Sequence, residues 1–535
     1  MNTKSVLTGI MLAAATTTVT AGGILTNTNQ SIDFLRNPAR DAAIGLDGVY
    51  SNPAGVAFMP EGFHLGLNWQ YAHQSRTIKS TSPAFALGRK NGGQTVKTFE
   101  GVADAPCIPS VQMAWNKGNW SAQFNFSVPG GGGKCSFSDG LGSFESVVGT
   151  IASSFMTLDG FATSLNSATT QLAPLYAAFG QTAPDAIPTY GVMGYDMDGY
   201  MEGRQYYYGF QLGAAYKIKD DFSVYGGLRL LYGNATYKAK ISNIQVGTAG
   251  GFVNFRDFLP NVPAQAQQNA AVAQQHLALL NQTQAAGIPM TPEMTAAKTQ
   301  LEQGLAALQQ SQGSLATLAK YSEGVNLLCN QSSLGIAPII GADYRFGRFN
   351  VAAKYEFKTQ IRMKNESTVN EASEIAAVNK YRDSEEVNED APALLTAGVE
   401  WNVVDPVRLN LGLHYFFDKD AEWYNNAQNR LDHNTYEVLA GAEWDVNDKL
   451  TVSGGGQLTR YGLTDEYMND MSFVVSSYSL GLGFNYKATD RVTLKAAYFQ
   501  TNYEHYKRSD YPSQGMSDDF TRTSRVLGIG CEVTF

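Results

Sequence analysis

Hydrophobic and polar residues alternate along many short segments of this chain. In segment 478–487, tyrosine, leucine and phenylalanine take every second position, and serine, glycine, asparagine and lysine take the positions between them. Segments 436–446 and 450–458, which a short turn joins, repeat the pattern. Because successive side chains of a β-strand point to opposite faces, this period of two predicts strands with one apolar and one polar face.

The alternation recurs along most of the chain. It predicts fourteen strands, over residues 63–71, 111–115, 120–128, 206–216, 222–232, 334–346, 349–357, 393–403, 407–415, 436–446, 450–458, 478–487, 491–498 and 525–535. Short turns join these strands at one end of the series, and long connections join them at the other. Outer-membrane barrels combine tight periplasmic turns, long external loops, outward apolar faces and an even strand count. We therefore predict an all-β fold, an antiparallel transmembrane β-barrel in the outer membrane of a Gram-negative bacterium.

The last strand separates a barrel from a secreted sandwich. Leu527, Ile529, Val533 and Phe535 share one face of this strand, and the chain ends on the aromatic residue. A terminal aromatic on an alternating strand resembles the closing strand of outer-membrane barrels. In the alternative, an edge strand of a secreted sandwich, the apolar faces would meet in a common interior.

The N-terminus is typical of an exported protein. Lys4 precedes an apolar stretch over 6–15, and small side chains precede an expected cleavage point between Ala21 and Gly22. The apolar stretch is too short to span a bilayer as a helix, so residues 1–21 are predicted to be a signal peptide.

Composition and motifs exclude several classes of function. Only 16% of the residues are charged, whereas soluble proteins carry about 25%, and the net charge is −9 without a basic block. Nucleic acid is therefore not an expected partner. The six histidines lack metal-type spacing, and no nucleophile elbow is present. We expect no enzyme activity, no metal and no cofactor. A disulfide among Cys107, Cys135 and Cys329 stays open, because pairing cannot be inferred from sequence.

Two long external loops, at about 129–201 and 242–333, are predicted to contain helices. Apolar residues recur in the first loop at spacings of three and four, which is typical of an amphipathic helix. Helix packing and ligand contact both explain such a stripe. The candidate residues for a ligand pocket or an external site are Phe58, Phe155, Phe161, Leu165 and Leu172.

The segment 22–60 is too polar and too interrupted to be a strand. Because it precedes the first strand, it starts on the periplasmic side and can enter the lumen, where inward polar side chains can bond it. We predict that 22–60 is a hatch, or plug, and that 61–535 forms the barrel.

With a plug and a fourteen-strand pattern, the sequence resembles the long-chain fatty acid transporter (FadL/TodX) family. The resemblance includes Asn52, Pro53 and Ala54 just before the first strand, and a terminal Phe. A second Asn-Pro-Ala begins at Asn37, but only the later copy directly precedes a strand. The family implies a plugged barrel with an external hydrophobic site, a deeper ligand pocket and a wall opening near the third strand.

The residues that follow the predicted third strand fit such an opening. The run is Pro129, Gly130, Gly131, Gly132 and Gly133. Proline removes a donor from the strand ladder and glycine weakens a strand, so this run could leave a lateral gap. The alternative is a flexible junction between strand and loop.

The sequence thus predicts a monomeric channel for passive uptake of hydrophobic small molecules, most simply long-chain fatty acids, in contact with outer-membrane lipids. The alternatives are uptake of other apolar ligands such as aromatic hydrocarbons or haem-like compounds, a surface adhesion or structural barrel, and a general porin.

Overall fold

A computed structural model describes residues 26–321, 323–371, 376–509 and 515–535. The predicted signal peptide, 1–21, lies outside these ranges. The described residues form one antiparallel sheet whose first strand pairs with the last, so the sheet closes into a barrel.

Fourteen strands of the described chain form the wall, as predicted. They are β1 (Gly62–Thr81), β2 (Val96–Lys117), β3 (Trp120–Phe137), β4 (Gly194–Lys219), β5 (Phe222–Thr248), β7 (Val325–Phe346), β8 (Phe349–Glu356), β11 (Leu394–Val404), β12 (Val407–Phe416), β13 (Tyr436–Asn447), β14 (Leu450–Arg460), β15 (Ser477–Lys487), β16 (Val492–Tyr503) and β18 (Ser517–Thr534). Four short strands extend the sheet at the long-loop end: β6 (Gly251–Asn254), β9 (Arg362–Ser367), β10 (Glu386–Asn388) and β17 (Tyr506–Arg508).

The apolar strand faces point outward. Leu212, Leu482 and Ile529 keep 66%, 62% and 58% of their surface exposed, whereas the inward Gln211 keeps 1%. A sandwich would bury these apolar faces, so the exposed belt excludes it. Water-exposed leucine in such numbers would be costly, and contact with acyl chains removes that cost.

The strands extend farther at the long-loop end than the alternation indicates. β3 continues to Phe137 and β4 begins at Gly194, so the first long loop covers 138–193 and not 129–201. β5 ends at Thr248 and β7 begins at Val325, which likewise shortens the second loop from 242–333 to 249–324. The alternation stops where a strand leaves the lipid, but backbone pairing continues beyond that level.

Helices form the plug and the external cap. They are α1 (Ile32–Arg36), α2 (Gly142–Ala178), α3 (Phe255–Phe258), α4 (Val262–Ala285) and α5 (Pro292–Tyr321). An apolar cluster that includes Leu165, Leu172, Leu280 and Leu301 packs α2, α4 and α5 together. Within the described ranges, no helix combines the length and the hydropathy needed to cross a membrane.

Residues 26–60 lie inside the closed wall. Most of their side chains are buried, including polar and charged ones such as Asp33, Arg36 and Asn52. α1 lies closest to β15 and β16, and its apolar face packs on inward residues such as Phe499 and Val526. Residues 26–60, called the plug below, therefore lie in the lumen, with α1 against one side of the wall.

Candidate functional site

Ion pairs anchor the middle of the plug to the wall. The Arg40 guanidinium contacts Asp47 of the plug at 2.8 Å and Glu443 of β13 at 2.6 Å. Arg36 contacts the same Glu443 carboxylate at 3.0 Å, and Lys495 of β16 contacts Asp33 at 2.6 Å. Removing one member would leave an uncompensated buried charge, which is strongly destabilising. These charges are thus engaged with each other and hold the plug in place.

The Asn-Pro-Ala motif attaches the plug at the short-turn end. The Asn52 side-chain amide donates to Asp343 of β7 at 2.6 Å, and its Oδ1 accepts from the Gly55 amide. The carbonyl oxygens of Pro53 and Ala54 accept from Gln123 of β3 (2.7 Å) and Ser223 of β5 (2.8 Å). The motif therefore bonds three different wall strands.

The earlier copy of the motif lies deeper in the barrel. Asn37 donates to Asn410 of β12 at 2.9 Å. Its carboxamide lies against Gly441 of β13, where an added Cβ would come within 1.9 Å of the Asn37 Oδ1. The two copies thus anchor the plug to opposite parts of the wall.

The wall has a break between β2 and β3. Pairing runs from Lys117↔Trp120 to Val111↔Phe126, stops, and resumes only at Ala103↔Cys135. Residues 104–110 of β2 and 127–134 of β3 therefore lack a ladder between them, although β3 still pairs with β4 across two irregularities. At about 3.3 Å per residue, the break is about 25 Å long.

Proline and glycine account for the break. Pro106 and Pro109 lie in this stretch of β2, opposite Pro129 and the glycine run of β3, and none of these prolines can donate to a ladder. Gly131 has a φ of +99°, and a Cβ there would lie 2.3 Å from the Gln205 carbonyl oxygen. The local sequences of both strands thus prevent regular pairing.

The start of the plug seals the break from inside. Gln30 bonds both edges: its side chain accepts from the Val128 amide at 2.9 Å and donates to the Val128 carbonyl at 3.1 Å. The Gln30 carbonyl accepts from Ser110 (2.6 Å) and Gln112 (3.0 Å) of β2. Thr26 forms a bridge with Gly130, and the Asn27 amide donates to the Pro129 carbonyl at 2.9 Å. Residues 26–30 therefore take the place of the missing ladder.

A cavity lies directly behind this seal. Its volume is about 190 Å³. Its apolar lining is Phe34, Ala72, Ala103, Ala105, Ile108, Val128, Phe499 and Val526, and its polar lining includes Asn27, Gln70, Gln457 and Thr501. Because Gly131 and Gly133 also line it, the cavity reaches the break in the wall.

A second, more apolar cavity lies above the first, beneath the external loops. Its volume is about 50 Å³, and its lining includes Phe416, Trp423, Leu431 and Phe473. Thr26, Glu437 and Tyr461 line both cavities. The two spaces thus follow one another from the external cap to the break between β2 and β3.

Two neighbouring arginines have no counter-charge in the described part of the chain, and one of them lines the first cavity. Arg76 of β1 and Arg522 of β18 are directly opposite each other in the ladder, and both alternate with the inward-facing residues. Arg522, which is 7% exposed and lines the cavity, donates to the neutral Gln74 at 3.2 Å and lies 5.1 Å from the Tyr503 ring centroid. Both Nε atoms lack hydrogen-bond partners, and no carboxylate among the described residues pairs with either guanidinium.

The candidate ligand contacts from the sequence lie elsewhere. Phe155 is buried among Tyr190, Phe255 and Phe258 in the external cap. The other helical candidates, Phe161, Leu165 and Leu172, pack between helices, and the Phe58 ring lies 5.1 Å from the Arg345 guanidinium at the short-turn end. None of these residues lines either cavity.

Sequence reasoning missed three groups of residues at this site. Pro106 and Pro109 could have been noticed, since two prolines three positions apart in a strand predict interrupted pairing. Gln30, Arg76 and Arg522 carried no signal, because their roles depend on neighbours distant in sequence.

All four thiols, the three candidate disulfide cysteines and Cys531, are unpaired in the structure.

No protein-family model matches the sequence, and no curated protein is similar to it. Among solved structures, a Pseudomonas aeruginosa FadL homologue is similar over 96% of this chain and 100% of its own, with a TM-score of 0.54 at 10% identity. A mutant of the TodX monoaromatic hydrocarbon channel is similar over 94% of this chain and 99% of its own, with a TM-score of 0.50 at 9% identity. At such identities the likeness shows the fold. The chain has the predicted FadL/TodX fold, that of an outer-membrane barrel of Gram-negative bacteria.

Proposed function

We propose that this FadL/TodX-fold barrel is a monomeric channel for passive uptake of hydrophobic compounds, with long-chain fatty acids as its main substrates. Residues 22–60 act as a hatch, and the ligand leaves sideways into the membrane between β2 and β3. The observation that carries the proposal is the cavity that ends at a break in the wall, which residues 26–30 seal in the described part of the chain.

Energetics favour release into lipid over release into water. Burying a methylene group is worth ~0.8 kcal/mol, so a chain of a dozen or more carbons gains on the order of 10 kcal/mol in an apolar site. A ligand leaving toward the periplasm would lose that energy and would have to pass the ion pairs of Arg36 and Arg40 with Glu443. A ligand leaving through the wall moves from one apolar environment to another.

The paired arginines favour a ligand that carries a carboxylate group. Arg76 and Arg522 repel each other, and a buried charge without a partner is costly. A carboxylate between them would offset both costs and could accept from both guanidinium groups. A neutral aromatic hydrocarbon would fill apolar space but leave the two charges uncompensated.

The test compares two ligands of equal chain length that differ in the head group. Oleate and oleyl alcohol are titrated into the purified protein and into the double variant Arg76→Gln/Arg522→Gln. We expect the double variant to bind oleate at least roughly tenfold more weakly, as for the loss of a charged hydrogen bond. Binding of the alcohol should change little.

The matched control is Lys79→Gln/Arg525→Gln, which removes the same charge from outward positions of β1 and β18. It should leave both affinities unchanged. Equal losses for oleate and the alcohol would contradict carboxylate recognition. Failure of the wild-type protein to bind either compound, together with an ion-conducting lumen in planar bilayers, would contradict uptake and favour a general porin.

A further inference from the structure

The outer face of the wall carries a basic patch on three neighbouring strands. We define the patch as Lys134 of β3, Glu202 and Arg204 of β4, and Lys238 of β5. Lys134 pairs with Arg204, and Glu202 pairs with Lys238, so the four side chains are cross-strand neighbours. The three basic side chains are exposed. They point away from the lumen and take no part in the plug or the cavities.

Hydrogen bonds organise this patch. The Glu202 carboxylate, although on the outer face, is only 5% exposed and contacts the Lys134 ammonium at 3.0 Å and the Lys238 ammonium at 3.1 Å. It therefore holds two ammonium groups side by side. The Arg204 guanidinium donates to Asn234 (3.2 Å) and Thr236 (3.1 Å), which are both neutral. Two ammonium groups thus share one carboxylate, and the guanidinium beside them bonds neutral groups, so the patch carries a net positive charge.

The patch lies at the outer boundary of the lipid. Along β4, the outward residues from Tyr208 to Ile218 are almost all large and apolar. Ten residues at ~3.3 Å per residue on a strand tilted by about 40° span about 25 Å, the height of an outer-membrane apolar band.

Tyrosines mark the upper edge of this band. The Tyr208 ring stacks with those of Tyr206 and Tyr232 at centroid distances of 6.1 Å and 6.4 Å. Such aromatic girdles lie at the level of the lipid head groups. Arg204 is the next outward residue above Tyr206, so the patch faces the head groups.

We propose that this patch binds the phosphate groups of phosphorylated glycolipids in the outer leaflet. At this height the surroundings of an outward side chain are lipid head groups. Phosphate is the anion that an arginine fork and two adjacent ammonium groups recognise. Glu202 fixes the spacing of the ammonium groups before the lipid arrives, which lowers the entropic cost of binding.

The inference uses the position of the patch on the wall and does not depend on the transported ligand. Its location has a bearing on the channel, because Lys134 lies at the upper end of the unpaired stretch of β3. A phosphorylated lipid held there would stand beside the break in the wall.

The experiment measures binding of bisphosphorylated lipid A to the full-length protein in detergent by native mass spectrometry. The test variant is Lys134→Gln/Arg204→Gln/Lys238→Gln. The control, Lys117→Gln/Lys219→Gln/Lys449→Gln, removes the same charge from exposed positions at the short-turn end. We expect the test variant to bind lipid A at least roughly tenfold more weakly, and the control to bind it like the wild type.

Heat-modifiable electrophoretic mobility verifies that all three proteins are folded barrels. The proposal is wrong if the folded test variant binds lipid A as tightly as the wild type. It is also wrong if the wild type binds phosphate-free lipid A as tightly as the bisphosphorylated form. Weaker binding by both variants would point to net charge and would contradict a specific site.

Discussion

Two adjacent parts of the wall differ sharply in their pairing. β4 and β5 pair from Gly194↔Gly247 to Lys219↔Phe222 with two irregularities, each of at most two residues per strand. β2 and β3 are also long strands, but they separate between Ala103 and Val111. The first pair contains no proline, whereas the second contains Pro106, Pro109 and Pro129 at one height. Strand length therefore does not ensure a continuous wall, and three residues without donors are enough to open one interface.

The hydrogen bonds that take the place of the ladder at the break differ in kind from those of a ladder. A ladder consists of backbone bonds fixed by the fold. At the break, one backbone bond joins Asn27 to Pro129, and the bonds of Gln30 to both strands each involve a side chain. Side-chain bonds can be exchanged without unfolding a strand. The break can thus open while the neighbouring interface stays closed.

The largest effect should come from a covalent bond across the break. A Cβ added to Gly133 would lie 3.7 Å from the Ala105 Cβ, a distance that suits a disulfide. In a Cys107→Ser/Cys135→Ser background, we expect Ala105→Cys/Gly133→Cys to reduce fatty acid uptake at least roughly tenfold when oxidised, and to regain uptake on reduction.

Ser479→Cys/Thr501→Cys is the control in the same background. These residues line the same cavity and are already paired across β15 and β16, so a disulfide between them closes no gap. Undiminished uptake through the oxidised Ala105→Cys/Gly133→Cys protein would show that the ligand leaves by another route.

Gln30→Ala should weaken the seal, so that the break between β2 and β3 opens more often. The substitution removes the acceptor of the buried Val128 N–H, which costs about 1–3 kcal/mol, and leaves the Val128 carbonyl with the 3.4 Å hydrogen bond from the Asn27 side chain. We expect the Val128 amide to exchange its hydrogen at least about tenfold faster. Hydrogen–deuterium exchange with mass spectrometry measures this, and Gln457→Ala, which lines the cavity but contacts Glu437, is the control. Unchanged exchange at Val128 would mean that Gln30 does not seal the break.

Pro106→Thr/Pro109→Thr should make β2 and β3 more like β4 and β5. The variant returns two backbone donors to β2, and one new hydrogen bond is worth about 1 kcal/mol, so opening should be about fivefold rarer. Uptake measured in whole cells should fall by a similar factor. Pro338→Thr in β7 is the control, because it alters a strand far from the break. Faster uptake in the double variant would contradict the role given to these prolines.

The smallest effect is expected at the anchored end of the plug. Asn52→Ala removes the donor to Asp343 but leaves the ion pairs of Arg36 and Arg40 intact. We expect uptake to fall more than the amount of folded barrel, which heat-modifiable mobility and membrane fractionation quantify. Equal losses of both would show that Asn52 serves only the fold.

The sequence was sufficient to predict the fourteen wall strands, because a membrane strand alternates with a period of two between a lipid-facing side and a lumen-facing side. The sequence was insufficient to predict where β2 to β5 end on the long-loop side. Strand segments outside the lipid need no apolar face, so the alternation is absent there. The run from Pro129 to Gly133 indicated a weak point in one strand, but a break requires a partner with the same weakness at the same height. That partner, the stretch with Pro106 and Pro109, is identified by the register.

The seal at the break and the arginine pair without a counter-charge could not be derived in the same way. Gln30 is one of several polar residues in the plug, and only its position beside Val128 distinguishes it. Arg76 and Arg522 lie in the first and last strands, which meet only when the barrel closes. Their missing counter-charge is a property of the lumen, and no local pattern encodes it.

The residues that seal the break, Thr26 to Gln30, carry no ionisable side chain, whereas the anchored part of the plug carries Asp33, Arg36, Arg40 and Asp47. Opening the seal therefore moves no net charge. Neither an electrical potential nor the ionic strength of the medium should shift its equilibrium appreciably. Uptake of the proposed kind would thus need no voltage across the membrane and would be driven only by the concentration difference of the ligand.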